Sequence, residues 1–120
     1  MSKNEFNECD FNLDYSIEKA LYERRSELSY IADKLGRSEL LAQLAEEAAE
    51  LSHAALKLRR VLDGKNPTPV LEGEAERDLH EEIADVLLCA ATVGINKIVA
   101  RAFVSAKSEC WFVRMKGEKN

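Results

Sequence analysis

Two short segments constrain this chain more than any other feature. The first is Leu44-Ala45-Glu46-Glu47-Ala48-Ala49-Glu50-Leu51, and the second is Glu81-Glu82-Ile83-Ala84-Asp85-Val86-Leu87-Leu88. Each sets carboxylates three residues apart, Glu47 with Glu50 and Glu82 with Asp85, on a stretch that otherwise reads as a helix built for burial. Residues at i and i+3 of a helix are neighbours, so each segment offers two oxygen donors on one side. Leu87, Leu88, Cys89, Ala90 and Ala91 follow Asp85 without a polar face, which predicts a helix enclosed on most sides. Ionised carboxylates in such a place are costly unless compensated. Four of them converging between two helices call for a hard divalent cation.

The rest of the chain parses as helices separated by glycine and proline. Ile17, Leu21, Leu28, Ile31 and Leu35 recur at helical spacing over 16–35, and Gly36 ends that pattern. Ser38 is expected as the N-cap of a second helix, whose stripe is Leu44, Ala48, Leu51, Ala55, Leu58 and Leu62. Both prolines of the chain lie in Lys65-Asn66-Pro67-Thr68-Pro69, which cannot be helical in its middle. A third helix is predicted over 73–93, with Gly94 as its stop. A fourth is predicted over 96–115, with Ile98, Phe103, Ala106, Cys110 and Val113 facing inward. No strand alternation or internal repeat is present. The expected fold is all-α, a four-helix bundle with its two motif helices antiparallel. Residues 1–15 would form a flexible arm, 16–115 a single domain and 116–120 a polar tail.

Helix ends place Glu50 twelve residues before Leu62, and Glu82 eight residues after Glu74. Antiparallel packing then leaves the two carboxylate pairs within about 6 Å in height, close enough to be level once helix ends shift slightly. Glu47 flanks the apolar stripe and Glu46 lies further around. Glu47 and Glu50 are therefore expected as direct ligands, and Glu46 as a supporting ligand or a base acting through water.

Net charge is −5, against the basic face that a nucleic-acid polymer would require. No apolar run approaches the length of a membrane span, and Met1-Ser2-Lys3-Asn4-Glu5 lacks the apolar core of a signal peptide. Cys9, Cys89 and Cys110 are odd in number and lack metal-type spacing, which suits reduced thiols. These features predict a cytoplasmic protein.

The two motifs resemble the Glu-Glu-x-x-Glu … Glu-x-x-Asp signature of the all-α NTP pyrophosphatases, the MazG-like and all-α dUTPase/dCTPase families. The resemblance extends over about 36–115 and includes Ser38-Glu39-Leu40-Leu41-Ala42-Gln43. It implies Mg²⁺-dependent cleavage of nucleoside triphosphates between the α and β phosphates, in house-cleaning of the nucleotide pool, by a homodimer or homotetramer. Glu47, Glu50, Glu82 and Asp85 map to the metal ligands, with Mn²⁺ as an alternative ion. Glu46 or Glu47 would orient the attacking water or take its proton. The interval between Glu50 and Glu82 is longer than usual for the family, which makes the Pro-rich connector 64–73 an insertion. The family's basic positions on the last helix match loosely. Lys107 and Arg114, seven residues apart on one face, are the best candidates for binding the distal phosphates.

Three rival readings share some of these features. Phosphoribosyl-ATP pyrophosphohydrolases resemble the first motif but tend to carry Tyr-His shortly after the Asp of the second, where this chain has Leu88 and Cys89. A di-iron bundle could use Glu50-x-x-His53, but needs a second such unit, and the residue three before His80 is Arg77. A catalytically silent bundle would bind nucleotide or a protein partner and release no pyrophosphate.

Overall fold

The computed structural model of the chain describes residues 16–64 and 70–117. The expected arm, the core of the Pro-rich connector and residues 118–120 lie outside those described. Every regular element among the described residues is a helix: α1 (Ile17–Glu23), α2 (Arg25–Asp63), α3 (Glu72–Val93) and α4 (Lys97–Gly117). None of them is long and apolar enough to cross a membrane.

The all-α expectation holds, with local corrections. The first predicted helix is interrupted at Arg24, whose backbone (φ −102°, ψ 13°) leaves the helical region. Its N–H still donates to the Leu21 carbonyl at 3.2 Å. Ser38 is not an N-cap. The chain breaks at Gly36 (φ 80°, ψ 159°) and is helical again directly after it. That backbone region is essentially closed to residues with a Cβ, so glycine is what permits the kink. The kink turns the segment carrying Leu28 and Ile31 back beside Leu88 and Thr92 of α3. Gly94 stops α3 in the left-handed region, as expected of a C-terminal glycine. Asn96 then caps α4, its Oδ1 accepting from the N–H groups of Ile98 at 3.1 Å and Val99 at 3.2 Å. α4 runs to Gly117, so the predicted tail begins inside the helix.

The core is the seam between α2 and α3. Among the described residues, the five buried apolar side chains, Leu40, Ala54, Leu58, Ala75 and Val93, all belong to these two helices. Ala75 is fully buried and Ala54 nearly so, and their small side chains let the two backbones approach closely. The helices run in opposite directions. Glu47 meets Asp85, Glu50 shares a cleft with Glu82, and Lys57 reaches Asp78 at 3.5 Å.

α4 departs most from expectation. Ile98, Phe103, Ala106, Cys110 and Val113 are all exposed, not inward. Apart from half-buried Ala100, so is every other residue of this helix. The apolar run after Asp85 is only half-enclosed, and Leu88 is exposed. The four helices of one chain therefore do not bury the apolar surface that the sequence sets aside for burial.

Candidate metal centre

The carboxylates occupy the seam itself. On α2 the residues turned toward α3 follow a heptad-like spacing: Leu40, Gln43, Glu47, Glu50, Ala54 and Lys57. On α3 the matching series is Ala75, Asp78, Glu82, Asp85, Cys89 and Thr92. In an ordinary helix pair such positions are filled by apolar knobs. Here the middle two of each series are acidic, and the flanking positions mix apolar or small residues (Leu40, Ala54, Ala75, Cys89, Thr92) with polar Gln43, Lys57 and Asp78. The two pairs are level, as the antiparallel register allowed.

Glu47, Glu82 and Asp85 each bring an oxygen to within 4.8 Å of the others, and all three are half-buried. Glu50 is exposed and stands beside the group. Its charge is the nearest influence on Glu82 after burial. Glu46 is exposed and lines neither cleft at the centre, so it acts on the group only as a charge next to Glu47. Lys107 and Arg114 lie on exposed α4 and border neither cleft.

The electrostatics are those of like charges held together. Burial pushes the Glu47 carboxyl above its ordinary value. The Asp85 charge, then Glu50 and Glu46, and a hydrogen bond with Asp85 push it the same way. Burial also raises Glu82, followed by the charges of Glu50, Asp85 and Glu47. Burial, then the charges of Glu47 and Asp85, raise the Cys89 thiol above its ordinary value and favour its neutral form. No ion pair to Glu47, Glu50, Glu82 or Asp85 forms among the described residues. One oxygen of Glu82, Oε2, is buried without any hydrogen-bond partner. Such an orphan is expensive, and a bound cation or an ordered water would satisfy it. An all-oxygen donor set with an orphaned buried oxygen and no neutralising side chain fits a hard divalent cation.

Two clefts meet at the carboxylates. One, of about 580 Å³, is polar: Glu50 and Glu82 stand on its wall with Asp78, and His53, Lys57 and Arg60 on the remainder. The other, of about 220 Å³, has Glu47 and Asp85 on its rim and is otherwise largely apolar, with Leu28, Ile31, Leu40 and Leu88. Sequence reasoning missed Lys57, Asp78 and Gln43 as residues of the site. The heptad spacing carried the signal, since Lys57 lies seven residues after Glu50 and Asp78 seven before Asp85.

No family model matches this chain, and searches of curated proteins and of solved structures returned no match.

The raised carboxyls set a pH dependence. A group whose folded pKa is raised contributes stability below its unfolded value and loses it as pH rises through the folded value. For Glu47 and Glu82 that loss begins near the ordinary 4.5 and continues upward. In EDTA the protein should therefore melt higher near pH 5 than at pH 7, and Glu82→Gln should flatten this slope. Melting curves across that range check it. A wild type that melts lower at pH 5 would contradict the clustering of the carboxylates.

Proposed function

We propose that the chain is a Mg²⁺-dependent nucleoside triphosphate pyrophosphohydrolase of the all-α NTP pyrophosphatase kind, acting as a homo-oligomer. The observation that carries this reading is the acidic seam with its orphaned Glu82 oxygen, set between a cleft bearing cations and a cleft bearing apolar side chains. A triphosphate and a nucleoside need those two environments side by side. The motif resemblance supports the same reading independently of the geometry.

Glu47, Glu50, Glu82 and Asp85 would hold Mg²⁺ or Mn²⁺. The ion would neutralise triphosphate charge and lower the pKa of a bound water. Hydrolysis then forms one bond from the water oxygen to the α phosphorus and breaks the bond from that phosphorus to the oxygen bridging to the β phosphorus. Pyrophosphate leaves, and the water proton passes to a carboxylate. Glu47 is better placed than Glu46 to accept it, because Glu47 lies in the seam, whereas Glu46 is exposed and lines neither cleft. The half-buried seam limits the water competing for the carboxylates.

A panel of canonical and modified nucleoside triphosphates with Mg²⁺ tests the reaction. The expected products are monophosphate and pyrophosphate, with release stopped by EDTA. Diphosphate and orthophosphate as products would rule out α–β cleavage. Binding without turnover across the whole panel would favour the silent bundle.

A further inference from the structure

The polar cleft carries three side chains that the acidic motifs do not account for. His53, Lys57 and Arg60 follow Glu50 along one face of α2 at intervals of three, four and three residues. All line the same cleft as Glu50 and Glu82. At about 1.5 Å per residue, Lys57 stands about 10 Å and Arg60 about 15 Å beyond Glu50 along the helix. The cleft therefore has an acidic end at the seam and a basic end away from it.

We propose that Lys57 and Arg60, with His53 between them and the carboxylates, form a subsite for the pyrophosphoryl end of a polyphosphate ligand. This rests on the nucleotide reading above and fixes the direction in which the substrate lies. The β and γ phosphates run along α2 toward Arg60, and the nucleoside lies toward the apolar cleft of Leu28, Ile31 and Leu40. Asp78 of α3 holds the Lys57 ammonium at the cleft wall through a 3.5 Å ion pair. An ammonium has three donors, so two remain for phosphate oxygens. Arg60 makes no ion pair among the described residues, and its planar fork suits two oxygens of one terminal phosphate. Among the described residues lining the cleft, Asp78 is the one acidic group at the basic end, and its charge is already matched by Lys57. A leaving pyrophosphate gains negative charge as the α–β bond breaks, and cations on this wall face that charge. Lys107 and Arg114 border the cleft nowhere in this chain. They could reach it only from another subunit.

Calorimetric binding of inorganic pyrophosphate in the presence of Mg²⁺ tests the subsite without requiring turnover. Arg60→Gln and Lys57→Gln should each weaken pyrophosphate binding by about 10- to 100-fold, the loss expected for a hydrogen bond to a charged group. Arg60→Lys should lose less than Arg60→Gln. The stabilisation of each variant by Mg²⁺ alone should match wild type, which shows that the fold and the seam are intact. Wild type that binds no pyrophosphate, or variants that bind it unchanged, would overturn the subsite. So would a loss of the response to Mg²⁺ alone, because the cations would then be serving the carboxylates. Weakening by Lys107→Gln or Arg114→Gln but not by Arg60→Gln would move the subsite to α4. If wild type turns over triphosphates while the Lys57 and Arg60 variants keep full pyrophosphate affinity, the subsite fails and the proposed reaction stands. If no triphosphate is cleaved but Arg60→Gln loses pyrophosphate, the subsite stands and the reaction fails.

Discussion

Asp85→Asn is expected to abolish pyrophosphate release and most of the stabilisation by Mg²⁺, while leaving the metal-free protein no less stable than wild type. Asp85 is the charge that most raises Glu47, and it also acts on Glu82 and Cys89. Without an ion, those contacts are repulsive. Asparagine keeps the size, can still hydrogen-bond to Glu47 and removes one negative charge from the seam. In EDTA its melting temperature should equal or exceed that of wild type. Wild type at a hundredfold excess of Mg²⁺ over its dissociation constant should gain about 2.7 kcal/mol, and the variant much less. Turnover should fall at least about a hundredfold, the order lost with one group that stabilises transition-state charge. A structural role for Asp85 would look different. If it accepted a buried cation such as Arg101, the substitution would strand that cation and destabilise the protein whether or not Mg²⁺ is present. Arg101 lies exposed on α4 and makes no ion pair among the described residues. Melts of both proteins in EDTA and in Mg²⁺ decide between the two. A large loss in EDTA with equal responses to Mg²⁺ would remove the metal centre.

The helices and the acidic seam were legible for local reasons. Gly36, Gly64 and Gly94 all adopt positive φ, so breaks fall where only glycine is comfortable. Carboxylates three residues apart share a helix face whatever the tertiary structure, so Glu82 and Asp85 had to come together once α3 formed. Glu47 joined them because it lies on the face of α2 that packs on α3, between Gln43 and Ala54, and Glu46 does not. What was illegible depended on partners distant in sequence. Lys57 and Asp78 belong to neither acidic motif, and only the antiparallel register sets them within 3.5 Å of each other. The break at Arg24 leaves no glycine or proline to mark it. On α4 the periodicity announced a buried face but could not say against what. Ser38 misled because its residue type suits a cap, while the backbone conformation at Gly36 decides where the helix restarts.

The second large effect concerns α4. α4 has 21 residues, and most helical stability in proteins comes from packing of an apolar face. α4 has such side chains and nothing among the described residues to set them against: Ile98 is 83% exposed, Trp111 64%, Phe112 60% and Phe103 58%. Among the described residues, the five buried apolar side chains of the α2–α3 seam make a small core. A second copy of the chain would cover α4 and add to that core at once. Each aromatic ring can bury about 150–250 Å² at about 25 cal/mol per Å², so three rings already supply a substantial part of a standard interface of about 800 Å² per partner. Light scattering at micromolar concentration should therefore give at least twice the chain mass of 13.5 kDa. Phe103→Glu and Trp111→Glu should each weaken association by about 30-fold or more, the loss typical of a central aromatic anchor. Helix content should fall as the protein dissociates, because α4 loses its support, and dilution of wild type should produce the same loss. That second readout keeps the test decisive if a glutamate variant fails to accumulate. A wild type that remains a monomer with its full helix content at micromolar concentration would show that α4 stands without a partner, and the oligomeric reading would fall.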